Sequence, residues 1–320
     1  MSPVDAELTI TAVVGDGDLA TWVEIHNLAA PCNPEGIAST RHWWQIAPDW
    51  RATIARRGGH PVGIGHVEAP HWAPDSRHAE AVVIVAPGER RRGVGTALSA
   101  DVSRWAVQRG LAGLDVWVDE SDPDAPAYWA NRGYLEVERE RRSRLELASV
   151  AADDTPVASP VGIAFATLDA RPDLEAGMYD IAREAWADIP GSEGYDPGDF
   201  AHWRADLRYP GLVEECGVIA LAGERVVGYA ILVRNAGRPE IADHWMTAVA
   251  RTWRGRGLAT AMKREQVRLA PAAGLAMLDA ANEERNAGMF AINERLGYRP
   301  LPADIKLRGP LHLPGAGQDR

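Results

Sequence analysis

Two stretches of the chain space their apolar residues as a helix does, and each follows a short strand-like apolar run. The helical positions are Leu98, Val102, Trp105 and Ala106 in the first half, and Leu258, Ala261, Met262 and Leu269 in the second. The strand-like runs cover residues 81–85 and 245–249. An Arg- and Gly-rich turn joins strand to helix in both places. The pattern predicts one strand, turn and helix unit used twice.

The turns and a later glycine pair repeat at one fixed offset. The first set is Arg90 to Gly95 with Gly133-Tyr134, and the second is Arg254 to Ala259 with Gly297-Tyr298. The second set lies 164 positions after the first (90 and 254, 133 and 297). A third match, around Gly63 and Gly228, lies within one position of that offset. Three matches in the same order indicate an internal duplication.

The length of 320 residues is consistent with two domains of about 150 residues each. Residues 148–160 are rich in Ala, Ser, Pro and Asp without apolar periodicity, so we interpret them as a linker. We therefore predict domains at 1–147 and 161–320. Both halves run through helical, hairpin and strand patterns in the same order, which predicts an α+β fold with a mostly antiparallel sheet.

Composition narrows the class of protein. A net charge of -11 argues against a general nucleic-acid binder, because phosphate contacts need a basic face. Cys32 and Cys216 are far apart and match no disulfide or zinc spacing. Neither a signal-like start nor an apolar run of about 18 residues occurs. These features predict a cytoplasmic protein that binds no membrane.

The duplicated turns are suited to phosphate. A glycine-rich turn that opens a helix directs unpaired N–H groups toward an anion, and the helix dipole favours negative charge there. Neither turn carries the Lys of a P-loop, and Leu98 and Thr260 replace the third glycine of a dinucleotide fingerprint. The alternative is that both turns are solvated arginine turns that only cap their helices.

The turn R-x-x-G-x-G/A, followed about forty residues on by Gly-Tyr, resembles the acyl-CoA loop of the GNAT N-acetyltransferase superfamily. In the second half Asn286, Met289, Asn293 and Gly297 follow that family's N-x-x-A-x-x-x-Y-x-x-x-G spacing, and the same frame falls on Asp122, Ala125, Trp129 and Gly133 in the first. The resemblance implies two tandem GNAT-like domains, each with a centrally splayed mixed sheet flanked by helices. The tandem architecture resembles mycothiol synthase and related actinobacterial proteins, although no residue specific to mycothiol synthesis is recognised.

The resemblance implies that acetyl-CoA, or another acyl-CoA, is the co-substrate. Its pantetheine would pair with the strand ends, its pyrophosphate would bind the loops, and Asn286 would touch the pantetheine. The implied binding residues are Val83, Val85, Arg90, Arg91, Arg92, Gly93, Val94, Gly95 and Thr96 in the first half, and Ala248, Val249, Arg254, Gly255, Arg256, Gly257, Leu258, Ala259, Thr260, Asn286 and Met289 in the second.

Acyl transfer to an amine needs a base for the amine, donors for the oxyanion and a proton for the leaving thiolate. Candidate bases are Glu80, Asp243 and His244, each of which could equally be an ordinary strand residue. The family's tyrosine acid is replaced by Trp129 in the first half and by Asn293 in the second, and Tyr128 is turned about 100° from the Trp129 direction. Asn293 is retained as a candidate, and the second domain is predicted to be the active one.

Two further groups of residues, the tryptophans and the histidines, can be interpreted as purely structural. Trp43, Trp44 and Trp50, or Trp186, Tyr195 and Trp203, could line an acceptor pocket or could simply belong to the core. His60, His66, His71 and His78 lack metal-ligand spacing, so no metal is predicted.

The sequence thus predicts an acetyl-CoA-dependent N-acetyltransferase that acts by direct attack of a small-molecule amine. The alternative is a non-catalytic acyl-CoA-binding or regulatory protein, because neither half keeps the tyrosine. A monomer or a homodimer is compatible with the sequence.

Overall fold

The computed structural model describes residues 7–31, 33–150, 159–189 and 195–313. The chain forms two compact units: unit 1 comprises Met1–Glu138 and Asp304–Arg320, and unit 2 comprises Arg139–Ala303. Each unit contains a mixed, mostly antiparallel sheet with helices packed against it, so the predicted α+β architecture is confirmed. Within the described ranges, no helix is both long and apolar enough to cross a membrane.

Unit 1 begins with a strand, two helices and a three-stranded meander, and its glycine turn opens the third helix. In chain order its elements are β1 (Leu8–Ala12), α1 (Gly15–Ala29), α2 (Ile37–Ile46), β2 (Trp50–Arg57), β3 (His60–Glu68), β4 (His78–Val85), α3 (Val94–Gln108), β5 (Gly113–Asp119) and α4 (Ala125–Ala130). A last strand, β13 (Asp304–Pro310), comes from the C-terminal end of the chain. The strand order is β1-β2-β3-β4-β5-β13, and only β4 and β5 run parallel.

Unit 2 repeats this plan. The strand β6 (Leu135–Glu146) enters it at Arg139. The elements that follow are β7 (Ala164–Thr167), α5 (Glu175–Trp186), α6 (Phe200–Leu207), β8 (Val218–Ala222), β9 (Arg225–Arg234), β10 (Ile241–Val249), α7 (Leu258–Leu269), β11 (Met277–Glu283), α8 (Ala287–Arg295) and β12 (Arg299–Pro300). The strand order is β7-β8-β9-β10-β11-β6, with β12 beside β6 and only β10 and β11 parallel.

Apolar side chains fill both faces of each sheet. In unit 1, Leu19 and Trp22 of α1 pack on one face, and Val102 and Trp105 of α3 pack on the other. In unit 2 the corresponding layers are formed by α5 and α7. The helical apolar stripes predicted at the two turns are therefore core-facing stripes, because Leu98 and Met262 are both fully buried.

The last strand of each half of the sequence lies in the sheet formed mainly by the other half. The strand β6 belongs to unit 2, and β13 belongs to unit 1. This exchange differs from the predicted division at 147 and 161. Ile305 and Leu307 of β13 are buried beside β5, and Leu145 of β6 is buried beside β11. Alternating apolar residues identify a strand but not the sheet edge that accepts it, so the sequence could not reveal this exchange. Of the predicted linker, residues 151–158 lie outside the described residues.

Candidate active site

The two predicted loops share one unusual backbone conformation. In unit 1, β4 is followed by a 3-10 turn (Pro87–Glu89), and Gly93 precedes α3 with φ +82°. In unit 2 the 3-10 turn Arg251–Trp253 follows β10, and Gly257 precedes α7 with φ +80°. Two residues earlier, Arg91 and Gly255 also have positive φ, +64° and +74°. Alternation of this kind turns successive N–H groups toward one point and forms an anion-binding nest.

The N–H groups of both nests are available to a ligand. The first helical hydrogen bonds run from Ala97 N to Gly93 O and from Ala261 N to Gly257 O, each at 3.0 Å. The N–H groups of 91–96 and 255–260 therefore have no acceptor among the residues that the structure describes. The arginine side chains are partly engaged, because Arg90 pairs with Asp122 and Asp124, and Arg254 pairs with Asp188. Hence the backbone amides, more than the guanidinium groups, are free to bind phosphate.

The central parallel strands separate in both units. In unit 1, β4 pairs with β5 only up to Ala81, and in unit 2, β10 pairs with β11 only up to Asp243. The remaining residues of β4 and β10, which include the predicted Val83, Val85, Ala248 and Val249, have strand partners on one side only within the described chain. Such an open strand edge can pair with an extended ligand. The Thr247 hydroxyl, which the sequence analysis missed, is buried at this edge without a hydrogen-bond partner among the described residues.

A bulge in β10 decides which candidate base corresponds to Glu80. The sequence offset of 164 pairs Glu80 with His244. In the structure, however, Glu80 lies opposite Asp115 of β5, and Asp243 lies opposite the matching Asp279 of β11. The register of β10 shifts between His244 and Met246, which places one extra residue after position 243. Asp243 is therefore the structural counterpart of Glu80, and His244 takes a different position.

Acidic and basic side chains surround the candidate bases Glu80 and Asp243. In unit 1, Lys306 Nζ lies 3.2 Å from Glu80 Oε1, and Arg308 binds Asp115 through two bonds of 2.8 and 2.7 Å. In unit 2, Arg144 binds Asp279 through two bonds of 2.7 Å. The basic residues all come from the exchanged strands β13 and β6. Neither half of the sequence therefore builds this cluster alone.

Burial changes the acidity of these carboxyls. Burial and the charge of Asp279 raise the pKa of Asp243 to about 6. Burial also raises the pKa of Glu80, against which the charge of Lys306 acts. Glu68 lies opposite Glu80 on β3, and its burial and the charge of Glu80 raise its pKa to about 8. At neutral pH Asp243 is a carboxylate whose pKa is well matched to accepting a proton.

His244 and Asn293 belong to a buried polar network in unit 2. His244 Nε2 lies 2.6 Å from the Tyr298 hydroxyl, and burial, followed by the charge of Lys263, lowers the pKa of His244 well below its usual value. Asn293 accepts a hydrogen bond of 2.9 Å from Lys263 Nζ and donates one of 3.0 Å to Asn282 Oδ1. Lys263 was missed at the sequence level, where a lysine beside Met262 in an apolar stripe was the only available signal.

The corresponding region of unit 1 is apolar. Trp129, at the family's tyrosine position, is buried against Tyr134. Tyr128 points elsewhere, as predicted, and its hydroxyl lies 2.8 Å from Ser99 Oγ on α3. A Cβ atom at Gly95 would lie 3.3 Å from that hydroxyl, so Tyr128 contacts the first turn after the loop.

Asn286 and Asp122 both cap helices. Asn286 Oδ1 accepts from Met289 N at 3.3 Å, and Asp122 Oδ1 accepts from Asp124 N and Ala125 N at 2.8 and 3.1 Å. The pantetheine contact implied for Asn286 stays a prediction, and its oxygen has a structural role already.

Most of the aromatic candidates pack on the cores. Trp203 is buried in unit 2, and Trp186 stacks on Tyr195 with ring centroids 3.9 Å apart. In unit 1, Trp44 and Trp50 stack on His66, whose pKa burial lowers to about 4. These contacts favour the core interpretation for these side chains.

Comparison with known proteins agrees with this geometry. A family model described as Acetyltransferase (GNAT) family matches residues 21–134 and 176–298. A mycothiol acetyltransferase from Parafrankia sp. is 28% identical over 280 residues, which covers 80% of this chain and 82% of the relative. A second, from Nocardia farcinica, is 25% identical and covers 80% and 81%. A tandem GNAT protein from the clavulanic acid biosynthesis pathway has the same fold, with a TM-score of 0.78, 23% identity and coverage of 95% and 99%.

Proposed function

The chain belongs to the GNAT acetyltransferase family, and we propose that it transfers an acetyl group from acetyl-CoA to the amine of a small molecule, with unit 2 as the active unit. The observation that carries the choice of unit 2 is the position of Asp243. It lies where the parallel strands separate, and its pKa of about 6 suits proton transfer near neutral pH. The names of the relatives, which refer to mycothiol, support a small-molecule acceptor.

The residues present fit acetyl-CoA. The nest at 255–260 supplies amide N–H groups for the pyrophosphate, and the one-sided edge of β10 supplies backbone groups for the pantetheine arm. The bound co-substrate supplies an acetyl group activated as a thioester. Asp243 accepts the proton that the attacking amine loses, directly or through a water molecule. Arg144 holds Asp279 beside Asp243, and the Asp279 charge helps to raise the basicity of Asp243.

The test is release of free thiol from acetyl-CoA in the presence of a panel of small amines. We expect acceptor-dependent thiol from the full chain. Gly257→Val should abolish it, because a β-branched residue cannot readily adopt φ +80° and the nest would be lost. Gly93→Val should preserve it if unit 2 is active.

Two matched controls separate loss of the nest from general backbone strain. Gly274 and Gly110 also have positive φ, and like the loop glycines their Cβ positions face open space. Gly274→Val and Gly110→Val introduce the same strain outside the loops and should retain thiol release. Loss of activity in Gly93→Val alone would overturn the choice of unit 2.

The absent tyrosine favours a second candidate function, a non-catalytic acyl-CoA-binding protein. It predicts saturable binding of CoA by calorimetry without acceptor-dependent thiol from any class of amine. The same two measurements therefore separate the candidates.

A further inference from the structure

Lys263 is a buried cation without a carboxylate. Only 1% of the residue is exposed, and among the described residues the hydrogen-bond partner of its ammonium group is the amide of Asn293, with no Asp or Glu within ion-pair distance. Lysine normally extends its charge to water, and burial of an unpaired charge is unfavourable. Burial accordingly lowers the pKa of Lys263 to about 7. A residue that destabilises the fold in this way is a candidate for a functional role.

The Lys263 ammonium is linked by hydrogen bonds to β11 beside the opening between the separated strands. Its hydrogen-bond acceptor, Asn293, donates in turn to Asn282 of β11, three positions beyond the last strand pair at Asp279. His244 of β10, the first residue beyond Asp243, borders the same opening. One Nδ2 hydrogen of Asn293 is used by Asn282. The second has no acceptor in the described part of the chain.

The network is peculiar to unit 2. The residues 164 positions before Lys263, Asn282 and Asn293 are Ser99, Val118 and Trp129. Val118 and Trp129 are buried in an apolar cluster, so they cannot form a comparable chain of hydrogen bonds. The polar path therefore exists only in the unit that we propose to be active.

We propose that Lys263 is a positioning residue that acts through Asn293 to stabilise the thiolate leaving group in unit 2. The inference rests on the proposed function. In the transfer, the C–N bond forms and the C–S bond breaks, and the sulfur leaves with the electron pair. The amine proton goes to Asp243, whereas Lys263 keeps its own proton. The Lys263 charge polarises the Asn293 amide, whose second Nδ2 hydrogen is donated to the thiolate, and the released thiolate takes a proton from water.

Neighbouring groups leave the Lys263 charge uncompensated. His244 from β10 and Tyr298 face it in addition to Asn293 from α8. Burial keeps the pKa of His244 far below and that of Tyr298 above the neutral range, so both are uncharged near pH 7. The ammonium group is then the one cation of this network that can attract a thiolate.

The direct test measures kcat of the full chain with acetyl-CoA and a saturating amine from about pH 6 to about pH 9. Because the charge of Lys263 is lost as the pH rises through its pKa of about 7, kcat of the wild type should fall on the alkaline side of that pH. Lys263→Met should remove this alkaline limb and lower kcat near neutral pH by about tenfold or more, with little change in the KM for acetyl-CoA. Arg264→Gln removes an exposed cation one position along α7 and should change neither the alkaline limb nor kcat.

A purely structural role for Lys263 makes different predictions. Lys263→Met replaces a buried charge by an apolar chain of similar length, so it should fold at least as stably as the wild type. If it does not fold, Lys263→Gln and a comparison on the wild type alone decide the matter. In the wild type, the alkaline fall in kcat should lie at the same pH for acceptors of different amine pKa, because the titrating group belongs to the protein.

The outcomes distinguish this inference from the function on which it rests. Absence of CoA binding would refute both. Acceptor-dependent turnover without an alkaline limb in the wild type, or with the same limb in the Lys263 variants, would refute the role of Lys263 and leave the proposed function standing.

Discussion

The exchange of β6 and β13 predicts that a substitution late in the sequence destabilises unit 1, which the first half of the sequence mainly forms. Leu307 follows the linker by more than a hundred residues, yet it lies opposite Val116 of β5 and is 7% exposed in the core of unit 1. Leu307→Ala should therefore destabilise unit 1. For Leu→Ala at a nearly buried site we expect a loss of about 2 to 3 kcal/mol. Leu145, opposite Leu278 in unit 2, is 1% exposed, and Leu145→Ala should cost unit 2 about 3 to 4 kcal/mol.

Hydrogen exchange detected by mass spectrometry can assign each loss to a unit. A decrease of 2 to 3 kcal/mol corresponds to about 30- to 150-fold less protection, because each 1.4 kcal/mol is about tenfold. Leu307→Ala should lower the protection of β5 by this factor and that of β11 by less, and Leu145→Ala should do the reverse. Leu313→Ala, just beyond β13 at a 37% exposed position, is the control and should change neither. Loss of protection in β11 rather than β5 on Leu307→Ala would refute the strand assignment.

Two further predictions concern Asp243 and Arg91. The folded pKa of Asp243 is raised to about 6, so its carboxylate is lost as the pH falls through 6, and kcat/KM should fall below that pH. Asp243→Asn should remove this acidic limb of the pH profile and lower kcat/KM by about a hundredfold or more. Because the pKa is raised in the folded state, the fold loses stability as the pH rises from about 4 through 6. Asp243→Asn should therefore raise the melting temperature at pH 8 but not at pH 4. A melting temperature below that of the wild type at pH 8 would contradict this reasoning. Arg91→Gly should leave stability to urea equal to or up to about 1 kcal/mol above the wild type, since φ +64° favours glycine; a marked decrease would show that the Arg91 side chain stabilises the loop.

The strand, turn and helix around each glycine loop were predictable because neighbouring residues encode them. The glycine turns and the apolar stripes of α3 and α7 lie within about twenty positions of one another, and backbone preference and helical period act at that range. The left-handed conformation of Arg91 was not predicted, because arginine carries no signal for it. Only its equivalence to Gly255 explains it, since both precede the helix-capping glycine by two residues.

The longer-range arrangement could not be predicted in the same way. Lys306 and Arg144 reach their carboxylates through strand pairing across more than a hundred residues, and a single sequence contains no signal for such pairing. The buried Lys263 was hidden for a related reason. Its burial depends on the acceptor at Asn293, thirty positions away on another helix.

The bulge at Trp245 has a consequence for how duplicated sequences diverge. Residue-by-residue alignment of the halves equates Glu80 with His244, whereas the hydrogen-bond ladder equates Glu80 with Asp243. One inserted residue thus kept a carboxylate beside Asp279 and moved the next side chain to the opposite face of the strand, beside Tyr298. The insertion therefore places an acid at the position that both copies share and a histidine at the next one, so an alignment by constant offset pairs residues that differ in surroundings and in chemistry.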